Sequence, residues 1–251
     1  MKQIDPDKLY SPLSLKFHLV KVVGFLAVSL ALMAVAVYLD FPAWDFSVRH
    51  NEGLQEWTES DSYRMLRVMG YLPVWIVITV ALILHDTRYL RKLGFGICAG
   101  RGLLLILTTG AAGICAELVK FLVKRERPPK TLEDLGHQAY QSFDLYTFRP
   151  FWGTETRAWH ETGGLGFPSS HAIVAFAAAF ILTKLFPRAI GLWVLLAVGC
   201  AATRVLRFGH YVSDVTASAI FAYAIAQFFW NWHLYNQREL IRENDGKLPI
   251  G

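Results

Sequence analysis

Runs of apolar residues long enough to cross a bilayer recur along this chain, and nothing else in it restricts the fold as strongly. A crossing helix needs roughly 20 apolar residues. Six blocks approach that length: residues 17–38, 68–84, 102–123, 172–185, 190–206 and 212–232. Inside a bilayer the backbone must satisfy its own hydrogen bonds, so each block reads as a helix. The expected fold is therefore all-α, a six-span transmembrane helical bundle forming a single domain over residues 1–251. Composition agrees: 54% of the residues are hydrophobic and 18% charged, whereas soluble domains carry about a quarter charged residues.

An even number of spans leaves both termini on one side. Setting aside Lys120, Arg127 and Arg204, the loops on the terminal side hold more Lys and Arg than the opposite loops. This favours cytoplasmic termini. The formal net charge is +5, but the cations sit between apolar blocks rather than along one polar face, which argues against nucleic acid. Anionic lipid headgroups remain suitable partners.

The first block is preceded by Lys16 and contains Ala34-Val35-Ala36, which resembles a signal-peptidase site. Its apolar run is longer than the 7–15 residues typical of a signal core, so a retained anchor is expected. Residues 40–67 carry Trp44, Trp57 and Tyr63 and are expected to hold an interfacial helix. A long extramembrane loop is expected over 129–166 and a polar tail over 236–251. Cys98, Cys115 and Cys200 lie in apolar stretches without metal-like spacing and read as small buried residues.

Three short segments carry the chemistry, and the six-span layout places them on one membrane face. The first runs from Lys120 to Arg127-Pro128 and closes the third block. The two cations are seven residues apart, about two helical turns, and project from one face of the helix end. Pro128 disfavours helical geometry at Arg127, which begins a loop. The second, Phe167-Pro168-Ser169-Ser170-His171, opens the fourth block. A helix N-terminus exposes unpaired N–H groups and favours anions, and Ser169 or Ser170 suits its cap. The third is Thr203-Arg204, His210 and Asp214. His210 and Asp214 share a helix face if the helix has begun, and Asp214 could then accept the ring N–H.

Each segment alone has an ordinary reading: snorkelling anchors, a serine cap, an interfacial polar cluster. Together they bring three cations, two histidines and a carboxylate to one face. Such a set suits a phosphate dianion, a nucleophile and a proton donor.

The three segments resemble the signatures of the type 2 phosphatidic acid phosphatase superfamily, which includes the vanadium haloperoxidases. The resemblance covers residues 120–214. It implies a membrane bundle with its site at the extracytoplasmic face, here of a bacterial inner membrane. It also implies a lipid phosphate phosphatase working without metal or other cofactor. By position, Lys120, Arg127 and Arg204 would hold the phosphate, helped by Ser169 and Ser170. His210 would attack phosphorus to give a phosphohistidine, with Asp214 orienting it. His171 would protonate the leaving oxygen and then activate water. Two departures stand out: Ser170 occupies the usual Gly position and Thr203 the usual Ser position. Ser170 either donates a bond to the phosphate or crowds its cradle.

Glu117, one turn before Lys120, reads as its ion-pair partner. His137 and His160 read as ordinary loop residues. In the same loop, Tyr146, Phe148, Arg149, Phe151, Trp152, Arg157 and Trp159 suit a lid, a headgroup reader or a loop lying on the membrane. No carboxylate cluster, Cys–His set, P-loop or dinucleotide fingerprint occurs on the site face. The motif reads phosphate and not the lipid, so phosphatidic acid, phosphatidylglycerol phosphate, polyprenyl diphosphate and lipid A phosphates all fit. A lipid-to-lipid phosphotransferase and a non-catalytic lipid-phosphate binder or transporter are the alternatives. A haloperoxidase fits less well, since that activity belongs to soluble members. The sequence assigns no oligomeric state.

Overall fold

The computed structural model describes residues 12–90, 95–125, 127–130 and 165–245, with 12–19, 89–90, 95–98 and 238–245 as backbone alone. The regular elements are helical: α1 Pro12–Arg49, α2 Asn51–Glu59, α3 Asp61–Val68, α4 Leu72–Leu90, α5 Phe95–Val123, α6 Ser170–Leu185, α7 Ile190–Leu206 and α8 Val212–Asp245, with a 3-10 turn at Pro187–Ala189. Most of the expected loop 129–166, with His137, His160 and its aromatic and cationic residues, lies outside the described residues.

Among the described residues, four helices are long and apolar enough to cross a membrane, or five if one bent pair counts as a single span. Two of the six expected blocks account for the difference. The second block starts at the last residue of α3, passes through a bend of 69° at residues 69–71 and continues as α4. The fourth becomes α6, whose 16 residues give roughly 24 Å at 1.5 Å per residue, less than the ~30 Å hydrocarbon core. Apolar content alone did not separate these cases, because a buried helix and a lipid-facing helix are equally hydrophobic. Two expected boundaries also move. The first block belongs to a longer helix that continues to Arg49, followed by two short helices rather than one. The expected tail over 236–251 is helical as far as Asp245.

α6 is the hub of the bundle. It packs against α5, α7 and α8. Ala172, Ala175, Ala177, Ala178, Ile173 and Ile181 are all fully buried. Its alanines let three neighbours approach closely, as small residues do between helices in lipid. The outer helices turn large apolar residues outward instead: Leu30, Val77, Ile114, Leu195 and Phe228 are each more than 60% exposed. In water such a girdle would be an aggregation surface; in lipid it is the solvated face.

α1 touches the bundle chiefly at its C-terminal half. Ala36, Asp40, Trp44 and Ser47 are buried there and fall at helical spacing along one face. At the opposite end of the bundle, Asp86 on α4 accepts bonds from Nε and Nη2 of Arg101 on α5. A bidentate pair of this kind fixes the relative height of the two helices. Ser60 caps α3, accepting the Tyr63 N–H at 3.3 Å.

Candidate active site

The site is built where α5, α7 and the starts of α6 and α8 meet. α5 ends at Val123, and Lys124 then adopts a positive φ of 50°, the left-handed conformation that commonly terminates helices. This stops α5 before the two-turn geometry expected for Lys120 and Arg127 can form. Lys120 stays on the helix and is buried, while Arg127 lies beyond it and is exposed. Arg125, between them, turns inward and is 3% exposed. Trp44 of α1 anchors the departing segment by donating to the Pro129 carbonyl at 2.8 Å.

Lys120 Nζ donates to Glu117 Oε1 at 2.7 Å, the pair its spacing predicts, and also to Ser170 Oγ. Ser170 Oγ in turn donates to Glu117 Oε1 at 2.6 Å. The serine in the usual glycine position therefore closes a triangle with Glu117 and Lys120. Two of the three ammonium protons are used, and one remains to donate. Ser169 caps α6, its Oγ accepting the Ala172 N–H at 3.4 Å. Its own N–H is taken by Ser218 Oγ at 2.9 Å, so the hydroxyl proton is what Ser169 has left to offer a ligand. Ser218 also donates to the Asp214 carbonyl at 2.8 Å, tying α6 to α8.

The interval from Arg204 to His210 is the length of one helix-ending turn. Phe208 takes φ 54°, and the N–H groups of Gly209 and His210 both donate to the Arg204 carbonyl, at 3.0 and 3.2 Å. A Cβ at residue 209 would lie 3.1 Å from Arg204 Nη2. Glycine there lets the guanidinium lie over the turn, beside the imidazole.

His210 precedes α8 rather than lying on it, and this changes its partner. Nδ1 is 2.6 Å from the Gly166 carbonyl oxygen and 3.7 Å from Asp214 Oδ2. A carbonyl only accepts, so Nδ1 carries the proton and Nε2 holds the lone pair. Asp214 is near the ring without bonding it directly. Its Oδ2 accepts the Tyr211 N–H at 2.8 Å, as the third helical residue does in a capping box, and its Oδ1 accepts Arg125 Nη1 at 2.8 Å. Burial lowers the His210 pKa below its ordinary 6.5, with neighbouring Asp214 pulling the other way and Arg204 adding to the fall.

Behind His210 lies a network that the sequence pattern did not reveal. Arg125 donates to Asp214, to Ser213 Oγ, and through Nη2 to Asp40 Oδ2 at 3.0 Å. Asp40 also accepts the Ser213 N–H at 2.8 Å and its hydroxyl at 2.6 Å. The guanidinium stacks 4.1 Å over the Tyr211 ring. The Arg125 carbonyl accepts the Gly166 N–H at 2.7 Å, so the residue that holds His210 is itself held. Both ends of this network are buried ions, which persist only when paired and hydrogen-bonded. The sequence signal for Arg125 was a basic helix end; which arginine turns inward depends on the Lys124 turn, and Asp40 lies 85 positions away.

His171 opens α6 with its ring edge-on to Tyr71 at 5.4 Å. Arg204, Arg67, His210 and Lys120 all lie within electrostatic reach of it, and Arg127 within reach of Arg204. The structure thus brings Lys120, Arg127, His171, Arg204 and His210 together around one space, with Asp214 behind His210 and Ser169 and Ser170 at the mouth of α6. Among the described residues no group of three or more His, Cys, Asp or Glu side chains forms a metal-binding cluster. The charge facing the histidines comes from Lys and Arg.

No solved structure matches this chain. Two curated relatives do. The lipid A 1-phosphatase of Rhizobium johnstonii is 32% identical over 122 residues, 48% of this chain and 43% of that protein. The lipid A 1-phosphatase of Rhizobium etli is 34% identical over 122 residues, 48% of this chain and 45% of that protein. The alignment spans less than half the length of either relative. Residues 101–238, which hold the hub helix, both histidines and Arg125, match the PAP2 superfamily, and the chain belongs to that family.

Proposed function

We propose that this protein is a lipid phosphate phosphatase that works through a phosphohistidine, without a metal ion. The observation that supports it most is the setting of His210: buried, with Nδ1–H held by a backbone carbonyl and Nε2 left as the nucleophile beside Arg204. In the first step Nε2 attacks phosphorus, the bond from phosphorus to the lipid oxygen breaks, and His171 gives that oxygen a proton. Lys120, Arg127 and Arg204 stabilise the charge spread over the transferring oxygens, with Ser169 and Ser170 lending hydroxyls. In the second step His171 takes a proton from water, the hydroxide attacks phosphorus, and the nitrogen–phosphorus bond breaks to release phosphate. Asp214 favours the positive charge that develops on His210.

The relatives named lipid A 1-phosphatase put a sugar-linked lipid phosphate first among the candidate substrates, ahead of phosphatidic acid, phosphatidylglycerol phosphate and polyprenyl diphosphate. In this reading the chain crosses the bacterial inner membrane six times, α6 and the bent α3–α4 pair each completing one crossing with the help of their neighbours. The site then opens on the extracytoplasmic face.

The test is phosphate release from a panel of these lipids by detergent-purified protein, with EDTA, alongside His210→Ala. Release that survives EDTA and disappears in a folded His210→Ala variant is the expected result. Release abolished by EDTA would overturn the metal-free mechanism. Transfer of phosphate to a second lipid, without free phosphate, would instead identify a phosphotransferase.

A further inference from the structure

Arg67 lies outside the family-matched region and outside the three segments that carry the chemistry; it ends the stretch 40–67 expected to hold an interfacial helix. It sits on the inner face of α3, the short helix before the 69° bend. α3 is pressed onto the site from above. A Cβ on Gly199 of α7 would lie 2.5 Å from Leu66 Cδ2, and a Cβ on Gly70 would lie 2.6 Å from His171 Cβ and 2.8 Å from its backbone. The Cys200 thiol lies 3.9 Å from the Arg67 carbonyl oxygen and 4.0 Å from that of His171. Two glycines and one thiol thus seat α3 against the ends of α6 and α7, and they fix Arg67 beside both histidine and arginine of the site.

The guanidinium is not neutralised there. Among the described residues, neither Arg67 nor Arg204 has a carboxylate partner. The Nε of each is buried without a hydrogen-bond acceptor. Arg67 and Arg204 lie within electrostatic reach of one another. Elsewhere among the described residues the buried cations are answered, Arg125 by two aspartates and Lys120 by Glu117, as is the partly exposed Arg101 by Asp86. Two guanidinium groups within electrostatic reach, each with a buried Nε unmet among the described residues, form an arrangement that an anion completes.

We propose that Arg67 is a phosphate-binding residue, reaching from α3 to share the oxygens of the transferring phosphoryl group with Arg204. This rests on the phosphatase reading and extends it: the cradle holds four cations, the added one reaching it from α3. Such a cradle selects a terminal phosphoryl group carrying two negative charges, the end of a phosphomonoester or diphosphate, over the single charge of a phosphodiester. Tyr63, buried one turn earlier on α3, also lies within electrostatic reach of Arg204.

The experiment measures binding apart from turnover. Inorganic phosphate and orthovanadate are titrated by calorimetry into detergent-purified wild-type protein, Arg67→Ala, Arg67→Lys and Arg64→Ala. Arg64 lies on the exposed face of the same helix, paired with Asp61. The expected result is weakening of phosphate and vanadate binding by on the order of 10- to 100-fold in Arg67→Ala. Partial recovery is expected in Arg67→Lys, which keeps the charge without the fork, and no change in Arg64→Ala. A folded Arg67→Ala that binds both ions as the wild type does would overturn the proposal, even if KM for a lipid rose, because that pattern belongs to membrane attachment. If Arg67→Ala fails to fold, Arg67→Lys and Arg67→Gln decide it: binding unchanged in both overturns it. Wild-type protein that binds phosphate through Arg67 yet releases none from any lipid would leave this assignment standing and sink the hydrolase reading.

Discussion

At the scale of single residues, His210 shows how a backbone group takes over a task that the spacing of side chains assigned elsewhere. The interval of four between His210 and Asp214 suggested a ring bonded to a carboxylate. Because α8 begins after His210, the imidazole turns to the Gly166 carbonyl, and Asp214 acts from 3.7 Å. A pH prediction follows from the direction of the shift. Burial lowers the His210 pKa, and the nucleophile must be neutral, so activity is retained as pH falls until it passes through that lowered value. The acidic limb of kcat/KM is expected below pH 6.5, the ordinary imidazole value. Asp214 raises this pKa, so Asp214→Asn moves the limb to still lower pH; Arg204, His171 and the Gly166 carbonyl, the other groups at the ring, are unchanged in that variant. A stopped assay across pH 4–8, with chemistry limiting, reads the limb, and a shift upward in the variant would contradict the assignment. The signature residues were legible in sequence because their types and intervals recur together. Arg125 and Asp40 were not, since a buried ion pair spanning 85 positions leaves no local period. Removing one partner from such a pair typically costs about 3–5 kcal/mol.

At the scale of elements, helix existence was readable from apolar runs, while their roles were not. The run 172–185 reads as a crossing helix, and in the structure it is a short, alanine-rich hub with no exposed residue. Its alanines were visible in the sequence; that they serve contacts with α5, α7 and α8 depends on where those helices lie. The run 68–84 likewise gave no sign that its start bends at residues 69–71 to bring α3 over the site. That bend carries its own test. Gly70→Ala places a Cβ within 2.6–2.8 Å of His171 atoms, including backbone that cannot yield. The α3–α4 corner must lift away from α6, and misplacement by an ångström near reacting groups lowers rates by about 100-fold. Gly113→Ala, whose Cβ meets Val174 Cγ2 at an ordinary 3.7 Å, serves as the control and should keep wild-type kcat. Equal kcat in the two variants, both monodisperse and helical by circular dichroism, would show that the corner does not position the site.

At the scale of the whole molecule, the charges and the apolar girdle define two ends of one bundle. The site end carries Lys120, Arg125, Arg127 and Arg204; the other end is closed by Asp86 with Arg101. Which end faces the cytoplasm is open to direct measurement. Lys130→Cys and Arg188→Cys, both exposed positions on opposite ends of their helices' connections, are labelled in intact cells with a membrane-impermeant maleimide. Labelling of Lys130→Cys alone is expected for a site on the extracytoplasmic face. Labelling of Arg188→Cys alone would invert the topology.

Asp40 belongs to α1, before the stretch 101–238 that defines the family, yet it holds Arg125 and Ser213 within that stretch. The signature region is therefore not a transplantable module. Moving it onto another N-terminal half would leave the buried Arg125 guanidinium with one of its two acids, so a functional chimera has to inherit the aspartate on the first helix along with the histidines it supports.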